Sequence, residues 1–256
     1  MKNNSKNNFF GGPAVALTLL CLFITSTTLA DTSADLVANA LIHGDRPAED
    51  AADDGRRMPL EVLSFAGIEA GMHVFELEAG TGYYTEILSR TVGPTGSVVM
   101  QNPPSFDSFY GDAPAQRAAR LGNVRLSKTN FDELDAPDNS MDMVTWILGP
   151  HELWYMQDGQ SLGVPAQSFA EIARILKPGG VFLAIDHHAP ADSTVDVGGT
   201  LHRIREDIIQ EFAEAAGLTV LRKSNLHLNE NDPLNIDVFN AAVQGKTSKF
   251  VVLYRK

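Results

Sequence analysis

The sequence predicts an α/β fold, with one mostly parallel sheet covered by helices on both faces. From residue 73 onward, apolar runs of strand length alternate with segments of helical periodicity, the pattern of strands joined by crossover helices. The first run, His73-Val74-Phe75-Glu76-Leu77-Glu78, feeds Ala79-Gly80-Thr81-Gly82 and then a helical stretch from Tyr83, leaving bare backbone at the crest of a strand–turn–helix unit. The 21 glycines and 13 prolines mark turns throughout the chain, so one domain with a sizeable core is the simplest organisation.

In chain order, residues 1–30 read as a cleaved export signal. Lys2 and Lys6 give a positive start, Ala14 to Ile24 is an apolar run too short to span a bilayer, and Thr28-Leu29-Ala30 ends in a small residue. Cleavage would start the mature protein at Asp31, and exported, periplasmic or extracellular residence is expected. Cleavage also removes Cys21, the one cysteine, so the mature chain tolerates an oxidising compartment. Two lysines leave with it: 18 basic residues then face 32 acidic ones, and the formal charge moves from −12 to −14. With no basic face, phosphate backbones and anionic lipid are repelled; nucleic acid is excluded as a partner, and stable membrane insertion of the mature protein is not expected.

Residues 31–72 read as a helical preamble. Leu36 to Ile42 and Pro59 to Ala66 form two apolar stripes, and Pro59 suits a helix's first turn. The charged stretch Asp45 to Arg57 between them is either a surface segment or a lid. The main domain, residues 73–256, follows. Strands are expected at 73–78, 97–101, 124–128, 142–148, 180–186, 218–226 and 249–255, and helices at 83–91, 113–121, 163–176 and 203–216. The insert Leu228 to Thr247 is expected to contain a short helix at Ile236–Val243.

Three motifs in this order resemble those of class I S-adenosylmethionine (SAM)-dependent methyltransferases. They are the Glu76-to-Gly82 strand and turn, the run Asn130-Phe131-Asp132-Glu133-Leu134-Asp135-Ala136-Pro137-Asp138-Asn139-Ser140-Met141-Asp142-Met143-Val144, and Ile175-Leu176-Lys177-Pro178-Gly179-Gly180-Val181-Phe182-Leu183. Within that family the chain is similar to a set of exported predicted methyltransferases. Its marks are Arg46-Pro47-Ala48-Glu49-Asp50, Gly82-Tyr83-Tyr84-Thr85-Glu86, Asp186-His187-His188-Ala189, Leu201-His202-Arg203 and Gly245-Lys246-Thr247-Ser248-Lys249-Phe250. The resemblance implies a Rossmann-like seven-stranded sheet with the last strand antiparallel, and SAM as cofactor.

In open α/β sheets ligands collect beyond the carboxyl ends of the strands. The first strand end offers Glu76, Glu78, Gly80 and Gly82. Thr85 stands where a dinucleotide fingerprint has its third glycine, which argues against a nicotinamide cofactor. Glu78 occupies a glycine position of the family and either holds the SAM ammonium or faces solvent. Tyr84, with Tyr83, forms either an aromatic wall for the methylsulfonium or helix-to-sheet packing. Asn102 ends the second strand where the family often has a ribose-gripping acid, and Asn130 and Phe131 end the third near the expected adenine. After the fourth strand comes Gly149-Pro150-His151-Glu152. His151 is read as a general base, its imidazole titrating near neutrality, or alternatively as a helix cap. Glu152 or Asp186 would orient it, and His187 and His202 would contact substrate. These His and carboxylate groups suit a divalent metal, but no short-range pair such as His-x-x-x-His is present and no metal ligand is assigned. The expected activity is methyl transfer from SAM to a small molecule; the alternative is a ligand-binding protein that has lost catalysis on the same fold.

Overall fold

The computed structural model describes residues 28–157 and 159–256. Apart from Thr28–Ala30, the expected signal segment lies outside the described residues. Helix α1, Thr28–Leu41, runs unbroken across the Ala30–Asp31 junction.

Seven strands form one sheet: β1 (His73–Leu77), β2 (Ser97–Gln101), β3 (Val124–Ser127), β4 (Met141–Ile147), β5 (Leu176–His187), β6 (Thr219–Ser224) and β7 (Lys249–Arg255). Their spatial order is β3-β2-β1-β4-β5-β7-β6. Strands β1 to β5 pair in parallel, while β7 inserts antiparallel between β5 and β6. This is the Rossmann-like arrangement expected. Successive strands are added to one side of β1 as far as β3 and then, from β4, to its other side, so β1 and β4 flank the topological switch point where such sheets bind ligands.

Successive strand residues point to opposite faces, and each face has its own core. Phe75, Leu77, Val144, Trp146, Phe182 and Tyr254 pack on one side with Phe169 of α5 (Pro165–Ile175). Val74, Met143, Leu183 and Leu253 pack on the other with Ile87 and Leu88 of α3 (Tyr83–Val92), Val37 of α1 and Val62 of α2 (Pro59–Ala66). Helices α4 (Ala113–Ala119) and α6 (Glu206–Ala215) complete the layers.

Three differences from the sequence expectation have local causes. The helix expected at Ile236–Val243 is a run of turns, because Asp237 and Asn240 accept the backbone N–H groups of Phe239 and Ala242, satisfying locally what a helix would have satisfied. The helix expected from residue 203 begins at Glu206, after a separate short helix, Val197–Leu201, ends at His202 in a left-handed conformation (φ 53°). The strand expected at 180–186 starts four residues earlier, at Leu176.

The charged stretch between α1 and α2 forms two short helices, Ala48–Ala51 and Asp54–Arg57, fastened over the glycine turn. Arg117 of α4 grips both carboxylate oxygens of Asp50 (2.7 and 3.0 Å), Arg46 pairs with Asp54, and the Tyr83 hydroxyl donates to Asp54 (2.6 Å). Among the described residues no helix is long and apolar enough to cross a membrane.

Candidate active site

Beyond the carboxyl ends of β1, β4 and β5 opens a cavity of about 580 Å³, within the range typical of small-molecule sites. Its two ends are built differently.

The glycine turn forms one end. Gly80 (φ 61°) and Gly82 (φ 90°) are both left-handed. A Cβ on Gly82 would stand 2.7 Å from Arg117 and 2.9 Å from Met100, so packing demands glycine there. A Cβ on Gly80 would meet only the Tyr110 ring at 3.7 Å, and a longer side chain would enter the cavity. Glu78 is also left-handed (φ 50°), the physical reason a glycine suits its position, and it pairs inward instead of facing solvent. Its backbone N–H donates to Gln101 (2.9 Å) and its carboxylate accepts the Trp146 indole N–H (3.2 Å). Burial and the neighbouring Glu152 charge push its pKa well above the ordinary range. Glu76 lies on the cavity wall, accepts the Thr85 hydroxyl (2.5 Å), and is raised by burial to about 8. Tyr83 and Tyr84 both line the cavity, edge to face; Tyr84 donates to the Arg57 carbonyl (2.9 Å), and the Arg57 guanidinium lies 4.5 Å from the Tyr83 ring centre.

Three expected cofactor contacts are placed otherwise. The Asn102 amide is engaged on both sides with the Gly80 backbone, accepting its N–H (2.8 Å) and donating to its carbonyl (3.0 Å), so it braces the turn and does not line the cavity. Phe131 is fully buried against Trp146 (ring centres 4.7 Å) in the core, where its N–H donates to the Leu162 carbonyl (2.9 Å) and Leu162 packs in the same cluster. Asn130 does not line the cavity either.

The opposite end is a cluster of ionisable side chains. Pro150–Trp154 forms a 3-10 turn after β4, and Asp186, at the end of neighbouring β5, accepts both the His151 backbone N–H (2.7 Å) and the ring Nδ1–H (2.8 Å). Asp186 thus holds the His151 ring through Nδ1. The other ring nitrogen, Nε2, lies 3.2 Å from Glu152 Oε1 and 3.2 Å from His202 Nδ1, while His202 Nδ1 and Glu152 Oε1 are 3.4 Å apart. Glu152 Oε2 is buried and has no hydrogen-bond partner among the described residues.

Electrostatics correct one expectation. Burial by itself would lower the pKa of His151, but the Asp186 and Glu152 carboxylates outweigh it and raise the imidazole to about 10. The neutral base expected of this residue is therefore a protonated imidazole in the ligand-free protein near neutral pH. Burial raises the Glu152 pKa, yet hydrogen bonds from His151 and His202 prevail and hold it at about 2. His187 lines the cavity, its Nδ1 2.7 Å from the Thr247 hydroxyl, and burial keeps it well below the usual imidazole range. The Arg203 of the Leu-His-Arg mark is a structural group: fully buried, it forks onto Asp232 (2.8 and 3.0 Å) and so fixes the turn that presents His202.

Sequence reasoning missed Arg57, Tyr110, Tyr155 and Phe239, which also line the cavity. No motif marks them, since they reach it from the N-terminal strap, from the four-residue helix Asp107–Tyr110 and from irregular segments. A side chamber of about 220 Å³ adjoins the cavity past Tyr84 and His187, lined in part by Arg56, His227 and Lys249. Lys249 is buried, donates only to the Thr247 carbonyl (2.7 Å) among the described residues, and is lowered by burial to about 8.

Residues 75–184, from β1 to β5, match the family model of the methyltransferase domain. This segment carries a methyltransferase domain. The chain is 31% identical over 170 residues to a ubiquinone/menaquinone biosynthesis C-methyltransferase of Psychromonas ingrahamii, with 64% of each chain covered. It spans about half to two thirds of the length of the curated relatives it matches. Among solved structures it is similar to a SAM dependent methyltransferase from Aquifex aeolicus (TM-score 0.58, 23% identity, 80% of this chain and 95% of that one). It is also similar to a putative sarcosine dimethylglycine methyltransferase from Galdieria sulphuraria (TM-score 0.56, 19% identity, 81% and 87%). At these identities the structural likenesses establish the fold. With the domain match, they support SAM as the group this methyltransferase domain binds.

Proposed function

We propose that the protein transfers the methyl group of SAM to a small hydroxylated molecule, at carbon or at oxygen. The observation that carries this reading is the single cavity with a glycine turn at one end and the His151–Glu152–His202 wall at the other. SAM brings a cationic leaving group, so the protein has to align a nucleophile with the methyl and relieve it of a proton. At the turn, Glu76 receives the amino end of SAM and Tyr84 flanks the sulfonium. At the wall, the acceptor hydroxyl meets Glu152 and His151, the latter oriented by Asp186, where its proton is lost to solvent and the charge that develops on the oxygen is stabilised. Loss of a proton from a phenol or enol makes both the oxygen and the adjacent carbon nucleophilic. Carbon methylation is the chemistry named for the relatives. The cationic side chamber suits an acceptor with a carboxylate or another anionic group, bound by Lys249.

Export is part of the proposal and rests on Lys2, Lys6, the apolar run Ala14 to Ile24 and Ala30. Protein recovered from its native host should begin at Asp31; an intact Met1 would refute it. A second reading, ligand binding without catalysis, is favoured by the bracing role of Asn102, which leaves that position without the expected ribose contact. Incubation of the protein with SAM and a panel of phenols and enolic carboxylates, with detection of S-adenosylhomocysteine, separates the two. Turnover supports methyl transfer, and SAM binding without turnover on any acceptor supports the second reading.

A further inference from the structure

We propose that Nε2 of His151, Oε1 of Glu152 and Nδ1 of His202 are the ligands of a divalent first-row transition-metal ion, with zinc the best geometric match. The three atoms form a nearly regular triangle with edges of 3.2, 3.2 and 3.4 Å. Ligands bound tetrahedrally at about 2.0–2.1 Å lie about 3.3 Å from one another, so this triangle has the dimensions of one face of a zinc coordination tetrahedron. Hydrogen bonds to Glu152 account for two of its edges but not for the approach of the two imidazole nitrogens to 3.2 Å along the third. A proton points along one edge of a triangle at a time, whereas a cation just off its centre contacts all three corners at once.

Two further features belong to metal sites. The second nitrogen of His151 donates to the buried carboxylate of Asp186 (2.8 Å), the carboxylate–histidine–metal relay that fixes the tautomer of a ligating imidazole. Glu152 keeps a buried Oε2, unpartnered among the described residues, beside the site, a second oxygen for a cation that expands its coordination. The donor set of two imidazoles and one carboxylate suits zinc, iron, cobalt or manganese and leaves a coordination position open toward the cavity. No sequence spacing announces the set: His151 and Glu152 follow β4, and His202 arrives 50 residues later on the turn secured by the Arg203–Asp232 pair.

The site itself stands on this geometry; its role rests on the methyl-transfer reading. The acceptor hydroxyl occupies the open position and gives up its proton to solvent. The resulting oxyanion, or its conjugated carbon, then attacks the methyl of SAM. The new methyl–acceptor bond forms as the carbon–sulfur bond breaks, its electron pair remaining on the sulfur of S-adenosylhomocysteine. No oxidant or reductant takes part.

The test uses the full chain, freed of metal by chelation and titrated with Co²⁺ and Zn²⁺. One Co²⁺ per chain is expected, with the intense visible absorption of a four- or five-coordinate ion, displaced by one Zn²⁺. His202→Ala and Glu152→Gln should each weaken binding at least tenfold. SAM titrations and thermal melts of the same variants verify that the fold and the cofactor end are intact. Should either variant fail to fold, Asp186→Asn, which removes the relay while leaving the three ligands in place, is expected to weaken Co²⁺ binding by about 10–100-fold. Absence of stoichiometric Co²⁺ binding, or binding unchanged in folded variants, overturns the metal site. If Co²⁺ binds while SAM does not, the metal site stands and the methyl-transfer reading falls; if SAM binds and Co²⁺ does not, the metal site falls alone.

Discussion

The two ends of the cavity solve the binding problem with different materials. At the glycine turn the work is done by backbone: Gly80, Glu78 and Gly82 all adopt left-handed conformations, and the side chains of Gln101 and Asn102 brace the Glu78 N–H and the Gly80 N–H and C=O. At the far wall the backbone is incidental. There His151 and Glu152 of the 3-10 turn after β4, Asp186 of β5 and His202 of a later turn meet through side-chain atoms. A backbone site is specified by residues adjacent in the chain, whereas a side-chain site is specified by the fold that brings distant residues together. The first end should accordingly tolerate few changes of shape and the second few changes of charge, and losing one end should leave the other working.

The sharpest separation is expected from the wall. His151→Ala and Glu152→Gln should lower kcat by about 10²–10³-fold, the usual contribution of a positioned group that stabilises developing charge, while SAM affinity stays within twofold of wild type. A parallel loss of SAM binding would mean the two ends are not separable. The converse is expected from Gly80→Leu, which fills the space where SAM must lie and should weaken its binding by about a hundredfold or more. The left-handed conformation adds a cost of about 1–2 kcal/mol in stability, too little to unfold a domain of this size. Undiminished SAM affinity in this variant would mean that the turn is not the cofactor site.

The same contrast explains how much the sequence disclosed. The order of strands and helices, the glycine turn and the antiparallel β7 were legible because period-2 and period-3.6 patterns, together with the quoted motifs, are local. His151, Glu152, Asp186, His187 and His202 were legible as candidates because they lie at or after the carboxyl ends of β4 and β5, where α/β sheets hold ligands. Their mutual distances were not, since no local spacing encodes the approach of His202 to His151. The misplacements of Asn102, Asn130 and Phe131 share a cause. A strand end lists the residues near a site, but their orientation depends on contacts such as Asn102 with Gly80, or Phe131 with Trp146 and Leu162. Tyr155 and Phe239 come from segments with no pattern to read, and Tyr110 from a helix of four residues, too short to show one.

Smaller effects sharpen the comparison further. Lys249→Gln should raise KM for anionic acceptors about tenfold with little change in kcat or in KM for uncharged ones, as expected from loss of one charge-assisted hydrogen bond. Glu76→Gln should act on stability as well as on SAM. With a folded-state pKa of about 8, against an ordinary 4.5, native Glu76 binds more protons than the unfolded chain, so it costs stability progressively as pH rises between those values. The variant should therefore melt a few degrees above wild type at pH 8, converge with it near pH 4.5, and bind SAM more weakly; equal melting temperatures at pH 8 would contradict the burial of an ionisable group there. Least of all is expected from Asn130→Asp. It restores an acid common in the family, but outside the cavity, and SAM affinity should not change by more than about twofold.

The central claim, a cofactor end and a chemical end facing each other across one cavity, is tested most directly by a crystal structure of the protein with S-adenosylhomocysteine. The account predicts the amino group of the ligand at Glu76, its backbone contacts at Gly80, and its sulfur directed at the wall formed by His151, Glu152 and His202. A ligand bound elsewhere, or one whose sulfur faces away from that wall, would contradict it.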